Sequence, residues 1–158
     1  MSIFHRRLAQ VRNQMAQREI ELLILPPSPY LFYLSGIQEQ AHFDMLKGAG
    51  DWLNGLFIGL DEGPILVINW EIYRILQRQQ PGPLSPVITD TELLEQQADP
   101  FSLLNNVIDR FRPLSGRIAL SDRTWVRFGD AVRAALPEAE TVFASEFMDP
   151  LLAIKDDE

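Results

Sequence analysis

The sequence has no cysteine among its 158 residues, which excludes a disulfide framework and thiolate chemistry. This fits a cytoplasmic protein, and the cytoplasm is the location we expect. No apolar run approaches the roughly 20 residues that cross a bilayer, so we expect no membrane partner. The first residues lead into a polar segment of mixed charge, which predicts that there is no signal peptide.

Basic residues are scarce: 14 Lys and Arg stand against 22 Asp and Glu, for a net charge of −8. Proteins that bind nucleic acids do so through clustered Lys and Arg. Here the basic residues are scattered, and the closest pairs are Arg6/Arg7 and Arg110/Arg112. The sequence therefore predicts no nucleic-acid partner.

The remaining composition is that of one globular domain. Hydrophobic residues make up 46% and charged residues 23% of the chain, which disfavours disorder. A chain of this length buries roughly 70% of its unfolded surface on folding, enough for a single core-forming domain.

Apolar spacing in the first half predicts a helix, a strand and a hairpin. Phe4, Leu8, Val11 and Met15 recur at helical spacing, and Leu22–Leu25 is a four-residue aliphatic run typical of a buried strand. The prolines at 26, 27 and 29 disfavour a helix directly after it. A long polar connection, 38–54, precedes a predicted hairpin of residues 55–60 and 64–68.

The second half alternates helices and strands. We predict one helix over 70–80 and another that begins at Pro100. A third helix is predicted after Ser121-Asp122, with Trp125 facing inward, and a fourth after Ser145. Strands are predicted at 84–88, 118–120 and 141–144, and the Thr89/Glu92 spacing predicts a brief capped helix at 93–94. Together these elements predict an α/β fold: a mixed sheet of about five or six strands with helices on both faces.

The order of elements resembles the N-terminal domain of the creatinase/prolidase/aminopeptidase P ("pita-bread") metallopeptidases. The matching features are the first helix, the strand Leu22–Leu25, the segment Tyr33–Ile37, which is similar to the family's Tyr-Leu-Thr/Ser-Gly-Phe motif, and the strand near Pro64. The end of the chain, 152–158, resembles the family's Arg-x-Ile-Lys-Ser-x-Glu linker. The resemblance implies a three-layer, ribonuclease H-like α/β/α domain over 1–153, with 154–158 starting a linker to an absent catalytic domain.

The sequence departs from the family's pattern at two positions. Tyr30 stands where the family commonly has Asn, and Leu152 where it commonly has Arg. These departures leave the contacts between linker and catalytic domain unassigned.

The resemblance also implies where the chemistry lies. In relatives, a C-terminal catalytic domain holds two metal ions with two Asp, one His and two Glu. Paired metals need several carboxylates plus imidazole, and this chain has only His5 and His42, far apart in sequence. We therefore expect no cofactor, no metal site and no peptidase activity in this chain alone, and two divalent metal ions in a parent enzyme.

The connection 38–54 carries the substrate-access candidates, His42, Asp44 and Trp52. In some relatives the corresponding segment reads Pro-His-Glu-Arg and reaches over the neighbouring subunit's active site. His42 keeps the imidazole, which can bind a substrate carboxylate or amine, whereas Asp44 stands in place of Arg. An exposed loop histidine without a role is the alternative interpretation. Trp52 is either an aromatic lid or dimer anchor, or a side chain packed onto its own domain.

The leading hypothesis is a non-catalytic N-terminal domain of an Xaa-Pro dipeptidase or aminopeptidase P-like hydrolase, which forms a homodimer and shapes substrate access. One alternative is an autonomous interaction module, like the inactive peptidase-shaped lobes of some histone chaperones. Another is the N-terminal domain of a creatinase-like enzyme that hydrolyses a non-peptide C–N bond.

Overall fold

The computed structural model of the protein describes residues 1–38, 48 and 50–154. The helices are α1 (Ile3–Gln17), α2 (Pro29–Ser35), α3 (Trp70–Gln79), α4 (Pro100–Asp109), α5 (Val126–Ala135) and α6 (Ser145–Ala153), with a 3₁₀ turn at Asp51–Leu53. The strands are β1 (Ile20–Leu25), β2 (Gly55–Gly59), β3 (Ile65–Asn69), β4 (Asp90–Leu94), β5 (Arg117–Leu120) and β6 (Glu140–Phe143). None of the helices in these ranges is long and apolar enough to cross a membrane.

The six strands form one mixed sheet in the order β4-β3-β2-β1-β5-β6. Only β2 runs against the others, because it pairs antiparallel with both β1 and β3, whereas the other neighbours are parallel. The carboxyl ends of the five parallel strands therefore lie along one edge, called here the carboxyl edge. The predicted mixed sheet is confirmed.

Side chains alternate along the strands between two cores. Leu23 and Leu25 of β1 face a core covered by α1, α2, α3 and α6. Leu22 and Ile24 face a second core, covered by the 3₁₀ turn, α4 and α5. Buried strands with apolar residues on both faces require cover on both sides, which gives the three-layer α/β/α arrangement.

The predicted hairpin is confirmed, and α1 holds its turn. The Arg12 guanidinium donates hydrogen bonds to the carbonyl oxygens of Gly59 at 3.0 Å, Glu62 at 3.1 Å and Gly63 at 3.0 Å. Partial burial lowers the pKa of Arg12, while Asp61 and Glu62 act in the opposite direction. One side chain thus satisfies several carbonyls where β2 turns into β3.

The prediction that the prolines disfavour a helix after β1 is wrong. Pro29 is the first residue of α2, where a missing N–H costs nothing. The Ser28 hydroxyl caps the helix by accepting from the Leu31 N–H at 3.3 Å. The prolines therefore start a short helix rather than prevent one.

The predictions for 84–94 are also wrong. Residues 84–88 form no strand, and the Leu93-Leu94 pair, expected in a brief helix, ends the edge strand β4. Thr89 donates its N–H to the Pro64 carbonyl at 2.9 Å instead of capping a helix. Parallel pairing with β3, from Ile65 opposite Asp90 onward, outweighs the local capping signal.

Trp125, predicted to face inward, lies nearer the surface, and so does Trp70. Trp125 is 53% exposed and precedes α5, whose Phe128 and Val132 face inward. Trp70 is half-buried, with the Arg74 guanidinium 5.1 Å from the centre of its ring. Ser121-Asp122 does not cap α5; Asp122 instead accepts a hydrogen bond from the Ser145 hydroxyl at 2.8 Å.

Candidate functional site

The predicted access residues belong to the connection between α2 and β2. His42 and Asp44 lie outside the described residues, so their roles remain predictions. Trp52 lies in the 3₁₀ turn that leads into β2. The described residues on either side of His42 and Asp44 form two hydrogen-bonded groups, called here the α2 anchor and the α3 anchor.

The α2 anchor joins the end of α2 to α1. Arg7 donates a hydrogen bond from Nη1 to the Tyr33 carbonyl at 2.9 Å. The same guanidinium lies 4.3 Å from the centre of the Tyr33 ring and 5.6 Å from that of Phe4, within cation–π range. The tyrosine of the 33–37 motif therefore holds the two helices together.

The serine and glycine of the motif end α2. The Ser35 hydroxyl donates to the Leu31 carbonyl at 2.7 Å and accepts from the Ile37 N–H at 3.2 Å. Gly36 has φ +78°, the left-handed conformation common after a helix. A β-carbon there would lie 2.7 Å from Cζ of Phe4, so only glycine fits without a shift. The motif thus fixes the chain where it leaves α2.

The α3 anchor is a buried polar network around Asp51. One carboxylate oxygen of Asp51 accepts from the Asn69 side-chain amide at 3.0 Å, and the other accepts from the Gly48 N–H. A buried carboxylate is stable only when hydrogen bonds replace its water, and these two donors supply them. Asp51 therefore ties the returning chain to the residue before α3.

Two asparagine amides complete the network. Asn54 donates to the Asp51 carbonyl at 2.7 Å and accepts from the Asn69 N–H at 2.6 Å. The Asn69 side-chain oxygen caps α3 by accepting from the N–H groups of Glu71 at 2.8 Å and Ile72 at 3.3 Å. Sequence analysis missed these residues, although the position of Asn69 before a predicted helix is an N-cap signal.

Trp52 extends the α3 anchor into the second core. It is 6% exposed, with its ring centre 5.3 Å from that of Phe101 and 5.9 Å from that of Phe128. Its Nε1 is buried and has no hydrogen-bond acceptor among the described residues. Of the two alternatives for Trp52, the structure shows the side chain packed onto its own domain.

The two anchors lie near opposite ends of α3. Ile37 and Gln38 border a cavity with Leu76 and Gln79, in the last turns of the helix, whereas the Asp51 network surrounds Asn69 at its start. A ten-residue helix is about 15 Å long, so the anchors hold the chain on either side of 39–47 at well-separated points. These contacts can hold the chain in place before and after residues 39–47. The polar atoms of the two anchors take part in the hydrogen bonds that do so.

A metal site would need several carboxylates or imidazoles pointing to one place. Among 1–38, 48 and 50–154 the structure shows no group of three or more His, Cys, Asp and Glu side chains with that arrangement. Asp51 is surrounded by amide donors rather than by other acids.

Comparison with protein families gives one match. Residues 7–151 match the family model described as the creatinase/prolidase N-terminal domain. No curated protein sequence matches the chain significantly.

Solved structures with the same fold belong to peptidases. A dipeptidase from Pyrococcus horikoshii OT3 superposes with a TM-score of 0.73 at 14% identity, over 96% of this chain and 37% of its own. A prolidase from Thermococcus sibiricus superposes with a TM-score of 0.75 at 14% identity, over 99% of this chain and 38% of the prolidase chain. The N-terminal domain of an Xaa-Pro dipeptidase from Streptococcus pyogenes superposes with a TM-score of 0.66 at 17% identity, over 92% of this chain and 98% of that domain. This chain therefore spans less than two fifths of the two full-length relatives.

Proposed function

Because the chain belongs to the creatinase/prolidase N-terminal domain family, we propose that it is the non-catalytic N-terminal domain of an Xaa-Pro dipeptidase or aminopeptidase P-like metallohydrolase. The share of the relatives that it spans supports this proposal, since it leaves more than half of each relative's length for a further domain. In this proposal the parent enzyme is cytoplasmic. Its two divalent metal ions are bound by the catalytic domain and not by this chain.

The observation that carries the proposed role is the pair of anchors around the segment with His42 and Asp44. The Asp51–Asn69 network and the Arg7–Tyr33 contact fix the chain on both sides of that segment. A binding group works best when the scaffold below it is rigid. The His42 imidazole then contacts the carboxylate or amine of a substrate held in an active site nearby, and the Asp44 carboxylate favours the amine.

Subunit pairing is the second part of the role. Three apolar side chains near the carboxyl edge are exposed: Trp125 by 53%, Val126 by 79% and Phe143 by 59%. Trp125 and Val126 are adjacent in the chain at the start of α5, and contiguous exposed apolar side chains are typical of surfaces that contact another protein. In the parent enzyme this surface contacts the catalytic domain or a second subunit of a homodimer.

The natural reading frame tests the proposal. We expect the codon for Glu158 to be followed by roughly 200 further residues, the size of another domain, that carry the two-Asp, one-His, two-Glu set. A stop codon directly after Glu158 would contradict the enzyme proposal and favour an autonomous interaction module. A following domain without the metal-binding set would also contradict it.

A further inference from the structure

A cleft unrelated to the two anchors opens between α3 and the carboxyl end of β4. Its volume is about 540 Å³, within the range of roughly 300–1,000 Å³ of small-ligand sites in proteins. Its walls are formed by Trp70, Tyr73, Arg74, Leu93, Glu95, Gln96 and Gln97.

The apolar walls of the cleft come from two elements. Trp70 and Tyr73 lie one turn apart on α3, so their rings share one face of the helix. Leu93 lies across from them on β4 and is 39% exposed, because the alternation of the strand sends Leu94 into the second core. An aromatic pair opposite an aliphatic side chain is suited to an apolar residue or a proline ring.

The cleft also carries one charge of each sign, on opposite walls. The Arg74 guanidinium lies 5.1 Å from the centre of the Trp70 ring, within cation–π range. A guanidinium has five N–H donors that can bind a carboxylate. Glu95 follows β4 and is exposed, in a turn closed by the Ala98 N–H bonding to its carbonyl at 3.0 Å. The amides of Gln96 and Gln97 add donors and acceptors at the rim.

We propose that this cleft binds a short zwitterionic peptide with an apolar or proline residue. Arg74 binds the terminal carboxylate, Glu95 binds the terminal ammonium group, and the apolar residue packs against Trp70, Tyr73 and Leu93. Charge complementarity supports this occupant, because the two charges of a zwitterion match those of Arg74 and Glu95. The site lies on this chain alone and does not depend on the catalytic domain of the proposed function.

The test is a titration of the ¹⁵N-labelled 158-residue chain with the dipeptide Leu-Pro, followed by NMR. The chain has three tryptophans, so three indole N–H signals report on three places, and Trp70→Phe identifies the relevant one. We expect the Trp70 signal to shift saturably at millimolar peptide while the Trp125 signal stays in place. Arg74→Gln and Glu95→Gln each weaken binding about fivefold, the scale of an exposed ion pair. Arg78→Gln, on the same helix but outside the cleft, leaves binding unchanged.

The peptide N-acetyl-Leu-Pro-amide, which lacks both charges, is the matched ligand control. Equal shifts with this peptide would overturn the proposal, as would a Trp70 signal that does not respond to Leu-Pro. A Trp70 signal that moves with protein concentration in the absence of peptide would identify a second copy of the chain as the occupant instead. The spectrum of each variant shows whether it is folded. A stop codon after Glu158 would remove the proposed enzyme but leave this result unaffected.

Discussion

The side-chain amide of Asn69 donates to the Asp51 carboxylate at 3.0 Å, while its oxygen accepts from the first N–H groups of α3. One residue therefore caps α3 and holds the chain at Asp51, just after residues 39–47. Both functions require the side-chain amide to point in one direction, and the Asn54 side chain holds the backbone of the same residue by accepting from the Asn69 backbone N–H. The chain at Asp51 is thus coupled to the start of α3.

Replacing Asn69 with Ala removes the cap and leaves the Asp51 carboxylate with one donor fewer. We expect the free energy of unfolding to fall by about 2 kcal/mol, the combined scale of a lost cap and an unsatisfied buried acceptor. Urea denaturation measures this change. Asn106→Ala, at an exposed position of α4, is the control and should alter the stability by less than about 0.5 kcal/mol. Equal effects of the two substitutions would contradict the assigned role of Asn69.

Trp52→Ala tests whether this tryptophan is part of the core. The side chain packs between Phe101 and Phe128, so we expect its removal to cost about 3–5 kcal/mol in the free energy of unfolding. Trp125→Ala removes the same side chain from an exposed position and should cost about 0.5 kcal/mol. If Trp52→Ala were as mild as Trp125→Ala, the buried placement of Trp52 would be wrong.

We expect the stability of the protein to depend on alkaline pH through Tyr30. Its hydroxyl donates a hydrogen bond to Asp149. The pKa of Tyr30 is raised above its ordinary value, most by desolvation and next by this hydrogen bond. A group whose pKa is raised by folding contributes its full stability below the unfolded pKa, about 10 for tyrosine, and loses it as the pH rises further. Below pH 10 this contribution is therefore complete.

The comparison of wild type with Tyr30→Phe tests this dependence. We expect the stability of the wild type to fall more steeply than that of the variant as the pH rises above about 10. Chemical denaturation at a series of alkaline pH values measures both slopes. Tyr73→Phe is the control and should follow the wild type. Parallel curves for wild type and Tyr30→Phe would show that folding does not raise the pKa of Tyr30.

Elements that depend on local periodicity could be predicted from the sequence. The spacing of Phe4, Leu8, Val11 and Met15 predicts α1, and the aliphatic run in β1 predicts a strand buried on both faces. These signals suffice because the burial of one helix face or of a whole strand depends on the spacing of apolar residues that are close in sequence.

Elements that depend on distant partners could not be predicted. The β4 strand contains polar residues and a helix-capping pattern, and only its pairing with β3 makes it a strand. The α3 anchor joins Asp51 and Asn54 to Asn69, and no local pattern indicates which polar side chains meet in this way. The α2 prediction failed for a local reason, since proline is excluded from helix interiors but favoured at the first position.

His42 provides the test of the access role in the proposed parent enzyme. We expect His42→Ala to raise the KM for an Xaa-Pro dipeptide several-fold and to leave kcat nearly unchanged, because in this proposal the imidazole contacts the bound substrate outside the metal centre. The control is His5→Ala, since His5 is exposed on α1 and bonds to the Ser2 hydroxyl at 2.7 Å. Unchanged kinetics for His42→Ala would remove this residue from the access role.

The most direct test of the whole account is a cleavage assay with the purified 158-residue chain. The chain is incubated with an Xaa-Pro dipeptide and Mn²⁺ or Co²⁺, with and without a chelator, beside the full-length parent enzyme. We predict chelator-sensitive cleavage by the parent enzyme and none by the chain alone. Chelator-sensitive cleavage by the 158-residue chain would contradict the account, because the chemistry would then lie in the domain assigned a scaffold role.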